Sequence, residues 1–167
     1  MAFPYNTNLD AVMNTLKGYN TTTAAVDLSN NLNVRVDSDN IFAVDPELTP
    51  PRADRMPCLY VTIDSKNESY EGIGATGVGG TKKQASVFYN IFAVVGKYGG
   101  WESQSVSTSD IYYLAENIEG IFQEEYDLSN TALWCNANTT EFFPPKSIGD
   151  QFAKVCLVRL EARYLFR

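Results

Sequence analysis

The segment from about Gln151 to Phe166 constrains the fold more than any other. Its even positions Phe152, Cys156, Val158, Leu160, Ala162, Tyr164 and Phe166 are apolar, while Arg159, Glu161, Arg163 and Arg167 are charged. Side chains that alternate with a period of two belong to a strand with one face turned in and the other turned out. A chain that carries such a strand needs a sheet, and a layer to cover only one side of it.

The segment from Gln84 to Tyr98 reads as a second long strand. Ser86, Phe88, Asn90, Phe92 and Val94 fall on one face and Val87, Tyr89, Ile91, Ala93 and Val95 on the other. Both faces are rather apolar, which places this strand centrally, with helices on one side and a partner surface on the other. Shorter strands are expected at Met56–Asp64 and Ala132–Ala137, with Ser65–Ser69 as a turn and Phe142–Lys146 as a loop carrying two exposed aromatics. Two helices stand out. Leu9, Val12, Met13 and Leu16 make one apolar stripe, with Asn6 or Asn8 as cap and Gly18 as stop. Ile111, Leu114, Ala115, Ile118, Ile121 and Phe122 make the other, behind a capping box at Ser107 and Asp110. The expected fold is one α+β domain over residues 1–167. It has a mostly antiparallel sheet, two main helices on one face, a long irregular excursion at 19–55 and a glycine-rich hairpin loop at 72–83. Within the excursion, Leu32–Val36 and Ile41–Val44 read as short strands.

Chemistry is limited by composition. Histidine is absent from the 167 residues, which removes Ser-His and Cys-His catalysis and histidine-ligated zinc. Cys58, Cys135 and Cys156 sit in apolar runs with no CxxC pair, so they read as buried free thiols. Gly72-Ile73-Gly74-Ala75-Thr76-Gly77 matches GxGxxG, but a strand follows where a phosphate site needs a helix N-terminus. Asp37, Asp39 and Asp45 fail the EF-hand order, since Ile41 and Phe42 stand at its fifth and sixth places. Glu116, Glu119, Glu124 and Glu125 read as the solvated face of the second helix. No catalytic residue, cofactor or metal is therefore expected, and the chain reads as a non-enzyme. The net charge of −7 argues against gripping nucleic acid. Met1–Tyr5 lacks the basic and apolar regions of a signal peptide, and no run approaches the roughly 18 apolar residues of a membrane span. The expectation is a soluble protein made in a reducing cytosol, with no membrane partner.

The order of elements carries a resemblance. A short N-terminal helix is followed by Met56-Pro57-Cys58-Leu59-Tyr60-Val61, then by a glycine-rich loop feeding Ser86-Val87-Phe88-Tyr89-Asn90-Ile91-Phe92-Ala93-Val94. A helix opened by Ser109-Asp110-Ile111 and a final strand ending in Arg-Tyr-Leu-Phe complete the pattern. Over residues 5–18 and 56–167 this resembles the tail terminator (tail completion, minor tail) proteins of tailed bacteriophages; Tyr19–Arg55 departs from them, being longer and less regular. The resemblance implies a structural virion protein of the tail and neck, assembled in the host cytoplasm. It implies a homohexameric ring that ends tail tube polymerisation and joins the tube to the neck or head connector, with genomic DNA passing through the lumen unbound. An acidic lining suits that passage, because it repels phosphate. Interface positions are expected at Gly72, Gly74, Gly77, Lys82, Lys83, Tyr98, Trp101, Phe142 and Phe143. Two alternatives stand beside this reading: another neck or tail component (stopper, tube or baseplate-associated subunit), and a small acidic ligand-binding module or enzyme.

Overall fold

A computed structural model describes residues 3–19, 36–47, 51–52, 55–70, 83–98, 103–148 and 151–166. In chain order the elements are α1 (Tyr5–Gly18), β1 (Ile41–Phe42), β2 (Cys58–Tyr70), β3 (Lys83–Tyr98), α2 (Ser103–Glu124), β4 (Trp134–Phe142), β5 (Lys146–Ile148) and β6 (Gln151–Phe166). The sheet is six-stranded in the order β1-β2-β3-β6-β4, with β5 paired to β6. Every pairing is antiparallel except that of β1 with β2. The fold is α+β with an open sheet.

The two long alternating segments become the sheet's centre, β3 against β6, in register from Lys83↔Phe166 to Tyr98↔Gln151. Val87, Tyr89, Ile91, Ala93 and Val95 of β3 face Cys156, Val158, Leu160 and Ala162 of β6, and all are buried. The α2 stripe from Ile111 to Phe122 and the α1 residues Val12, Met13 and Leu16 close over them as one core. Within that core the Tyr89 and Tyr164 hydroxyls share a hydrogen bond of 2.8 Å. Among the described residues, no helix is long and apolar enough to cross a membrane.

Several local expectations are corrected. Ser65–Ser69 is not a turn: β2 runs on to Tyr70, and its polar residues pair residue by residue with β3 up to Tyr70↔Lys83. The backbone ladder satisfies the strand, and Lys66 is held by Glu68 and lies 5.1 Å from the ring centres of both Phe3 and Tyr5. That same pairing makes residues 71–82 the connection of a hairpin, though those residues lie outside the described set. Neither asparagine caps α1; Pro4 holds the N-cap position, and Asn8 is buried on the core side. Gly18 is the last helical residue, and an added Cβ there would meet nothing within 4 Å, so the stop does not depend on glycine. α2 begins at Ser103, which puts Ser107 and Asp110 inside the helix and not at a capping box. β4 extends to Phe142, beyond the expected Ala137. Of the excursion, Ile41–Phe42 forms β1, while Leu32–Arg35 lies outside the described residues.

After α2 the chain reverses through Leu128, Ser129 and Asn130, with φ of 49°, 55° and 66°. Left-handed backbone at three successive non-glycine residues is costly. It is imposed by the burial of Leu128 and by bonds from Ala132 N–H to Asp127 O (2.9 Å) and from Thr131 N–H to Leu128 O (3.2 Å).

Candidate interaction surface

Both described helices lie on one side of the sheet, so the other side, which carries no helix among the described residues, is the surface that bears on the expected interface residues. Strand alternation sends Asn90, Phe92 and Val94 of β3, Val155, Leu157, Arg159, Glu161 and Arg163 of β6, and Trp134, Asn136 and Glu141 of β4 to this helix-free face. It divides into two regions.

Toward Arg163 and Trp134 the face is a ladder of paired polar groups. Arg159 meets Glu141 at 3.3 Å, and Arg163 meets Glu161 at 3.4 Å while its guanidinium lies 4.7 Å from the Trp134 ring centre. Asn138 donates to Glu161 at 3.0 Å, Asn136 donates to Asn138 at 2.9 Å, and Asn90 donates to Asp64 at 3.2 Å. These pairs are surface interactions worth little to stability. Their effect is on charge: each β6 arginine already has a carboxylate beside it.

Toward β1 the face is apolar. Cys58, Tyr60, Val94 and Ala153 form a second cluster, flanked by Phe42, Met56, Phe92 and Val155. Arg55 sits 5.8 Å from the Phe42 ring centre, and Phe42 stacks at a tilt on Tyr60, 5.3 Å between centres. Beside this cluster runs a groove of about 730 Å³. Phe92, Val94 and Val155 lie along it with Thr62 and Asn90, between Asp45 and Glu47 on one side and Phe143 and Lys146 on the other. Asp45 accepts the Glu47 N–H at 2.8 Å, so this carboxylate shapes a turn.

The expected interface positions do not form one patch. Phe142 and Phe143 go to opposite faces: Phe142 packs edge-on against Tyr112 of α2 (4.8 Å between centres), whereas Phe143 lines the groove. The pair is not one loop of two exposed aromatics, because β4 runs through Phe142 and the Phe143 N–H bonds Val155 O at 3.0 Å. Lys83 opens β3 and meets Glu68 at 3.6 Å. Tyr98 ends β3, with its side chain outside the described set. Gly72, Gly74, Gly77, Lys82 and Trp101 also lie outside the described residues.

On the helix side, Tyr112, beside Phe142, and its neighbour Tyr113 are about half exposed, and sequence reasoning missed them. Both adjoin the apolar stripe of α2, so the helix pattern concealed them. A smaller hollow of about 370 Å³ lies between the end of α1 and the left-handed turn. At its rim the Tyr19 hydroxyl donates to Glu125 at 3.1 Å, and burial together with these carboxylates pushes its pKa up to about 12. All three thiols are buried and free; burial raises Cys58 to about 11 and Cys135 and Cys156 to about 12, which keeps them protonated and unreactive near neutrality. Glu119 accepts a hydrogen bond from Thr140 and ties α2 to β4, so it is not simply a solvated carboxylate. No family model matches the chain, and no curated protein matches its sequence.

Proposed function

We propose that this chain is a ring-forming structural subunit at the head-proximal end of a bacteriophage tail, ending tube polymerisation and joining the tube to the neck. The observation that supports this reading best is the one-sided sheet, covered by helices on one face and open at its edges. Such a sheet suits a wall segment that meets like segments on either side. The charge pattern is compatible with DNA passing without capture. The chain carries a net charge of −7, and Arg159 and Arg163 each stand beside a carboxylate that competes with phosphate. Its partners in this reading are further copies of itself, the tube protein and the neck connector.

The test is to add the purified protein to polymerising tube protein and to measure tube lengths by electron microscopy. Tubes that stop growing and carry a ring at one end are expected; unchanged lengths and bare ends would overturn the proposal. The groove beside Phe92 favours a second reading, a small ligand-binding module. That reading expects a protein that stays monomeric at high concentration and does not bind tube ends.

A further inference from the structure

Among the described residues the sheet has two different open edges, and their irregularities match. β1 covers β2 only at Leu59 and Tyr60, and Val61 is fully buried, so from Thr62 onward the outer edge of β2 is accessible and has no strand partner among the described residues. At the other end of the sheet, β4 is the terminal strand. Its nine residues include no lysine and no proline, two of the residue types that commonly blunt an exposed edge. The Cys135 N–H is taken by the Tyr126 carbonyl, which leaves 136–142 as the open stretch.

Direction comes first. Successive antiparallel pairings of β2 with β3, β3 with β6 and β6 with β4 make β2 and β4 run oppositely. Two copies in the same orientation, placed side by side, therefore bring β4 of one antiparallel to β2 of the next. The helix side of one then continues as the helix side of the other.

Register comes second. Each edge contains one extra residue, Asp64 between Ile63 and Ser65 in β2 and Asn138 between Ala137 and Thr139 in β4. An extra residue in one strand alone would swap the faces of everything beyond it. Here the two compensate. With Glu141 opposite Thr62, Thr140 meets Ile63, Ala137 meets Lys66 and Asn136 meets Asn67. All these pairs agree in face on both sides of the irregularity, where Asn138 and Thr139 lie against Ser65 and Asp64. No like charges stand directly opposite.

We infer that copies of this chain join by pairing the 136–141 edge of β4 with the 62–67 edge of β2 in the next copy, making one sheet continuous from subunit to subunit. The contact is heterologous, so it closes into a ring or grows as a filament according to the rotation per step. The inference rests on the assembly reading above and names the surface that reading needs.

Asn136 and Asn67 are both exposed and lie on the helix-free face, so cysteines there leave the core untouched, and the three native thiols are buried. The Asn136→Cys/Asn67→Cys double variant, oxidised with oxidised glutathione, is run on non-reducing gels, with light scattering in parallel and circular dichroism to check folding. A covalent ladder from dimer upward is expected, with each single variant giving far less cross-linked product. Hydrogen exchange on the unmodified protein should slow at 62–67 and 136–141 on assembly. Assembled particles with neither ladder nor protection would overturn this edge pairing and leave the ring reading standing. A protein that stays monomeric, alone and with tube protein, with neither signal, would overturn both.

Discussion

Tyr89 and Tyr164 put two hydroxyls in the core, 2.8 Å apart, on side chains that are 0% and 3% exposed. Changing Tyr89 to Phe removes one oxygen and leaves the other hydroxyl in an apolar site without that partner. The cost of such an orphaned group is about 1–3 kcal/mol, and Tyr164→Phe should cost a similar amount. The double variant Tyr89→Phe/Tyr164→Phe removes both hydroxyls and leaves nothing unsatisfied by that exchange. Its cost is the net value of one hydrogen bond, about 1 kcal/mol. The two single losses therefore sum to about 2–6 kcal/mol and exceed the double loss by a coupling of about 1–5 kcal/mol, which overlaps the range found for contacting residues. Urea unfolding at pH 7, followed by circular dichroism, reads all four corners of the cycle. In thermal melts each kcal/mol appears as about 2–4 °C for a chain of this size. A double variant that loses the sum of the two singles, or singles that each cost under about 0.5 kcal/mol, would refute the account of this pair as a mutually satisfying unit.

Three further outcomes follow from the packing. Ile118 is fully buried under α2, so Ile118→Ala should cost about 2–5 kcal/mol, read as a lower urea midpoint with an unchanged slope. Ser129 is exposed with φ of 55°, so Ser129→Gly should stabilise the protein by about 1 kcal/mol, read as a rise in Tm; a fall would contradict the strain assigned to this turn. Cys135 and Cys156 ionise near 9 when unfolded and near 12 when folded, and Tyr89 likewise moves from 10 up to about 12, burial being the first cause in each case. The raised values keep stability complete below about pH 9 and remove it as pH climbs toward 12, by at most about 1.4 kcal/mol per pH unit and group. Urea midpoints that stay flat from pH 9 to 11 would refute this.

The parts of the fold legible in the sequence are those where one environment covers a whole face. The α2 stripe and the even positions from Cys156 to Tyr164 satisfy that condition, and all are buried. Alternation fails at the start of β6, where Ala153 and Leu157 are buried and Phe152 is 41% exposed. There a second apolar cluster lies on the helix-free face, so Cys156 and Leu157 are buried on opposite sides, and at Phe152 and Ala153 the order of exposed and buried is reversed. Asp64-Ser65-Lys66-Asn67-Glu68-Ser69 has turn composition but lies in a strand, because its neighbours, and not its propensity, decide its backbone. Leu128-Ser129-Asn130 contains no glycine to announce a left-handed reversal. Of the surface, Phe142 and Phe143 were visible as candidates, but their assignment to opposite faces required knowing that β4 runs through Phe142. Arg163 and Glu161 stand two apart on one strand, whereas the Arg159–Glu141 pair joins β6 to β4, a proximity that spacing along the chain does not encode.

The strand order has a consequence for biosynthesis. β6 is the last strand of the sheet in chain order, yet it stands between β3 and β4. While the polypeptide is still emerging from the ribosome, β3 and β4 have no neighbour between them, and the slot each presents has the shape of β6. The helices have nothing complete to close upon until that strand arrives. The slot accepts a β6 from any chain of the same sequence, so neighbouring nascent chains on one messenger are competitors for it. The order of synthesis thus leaves β3 and β4 unbridged until β6 is made, the interval in which a strand of another chain can take its place.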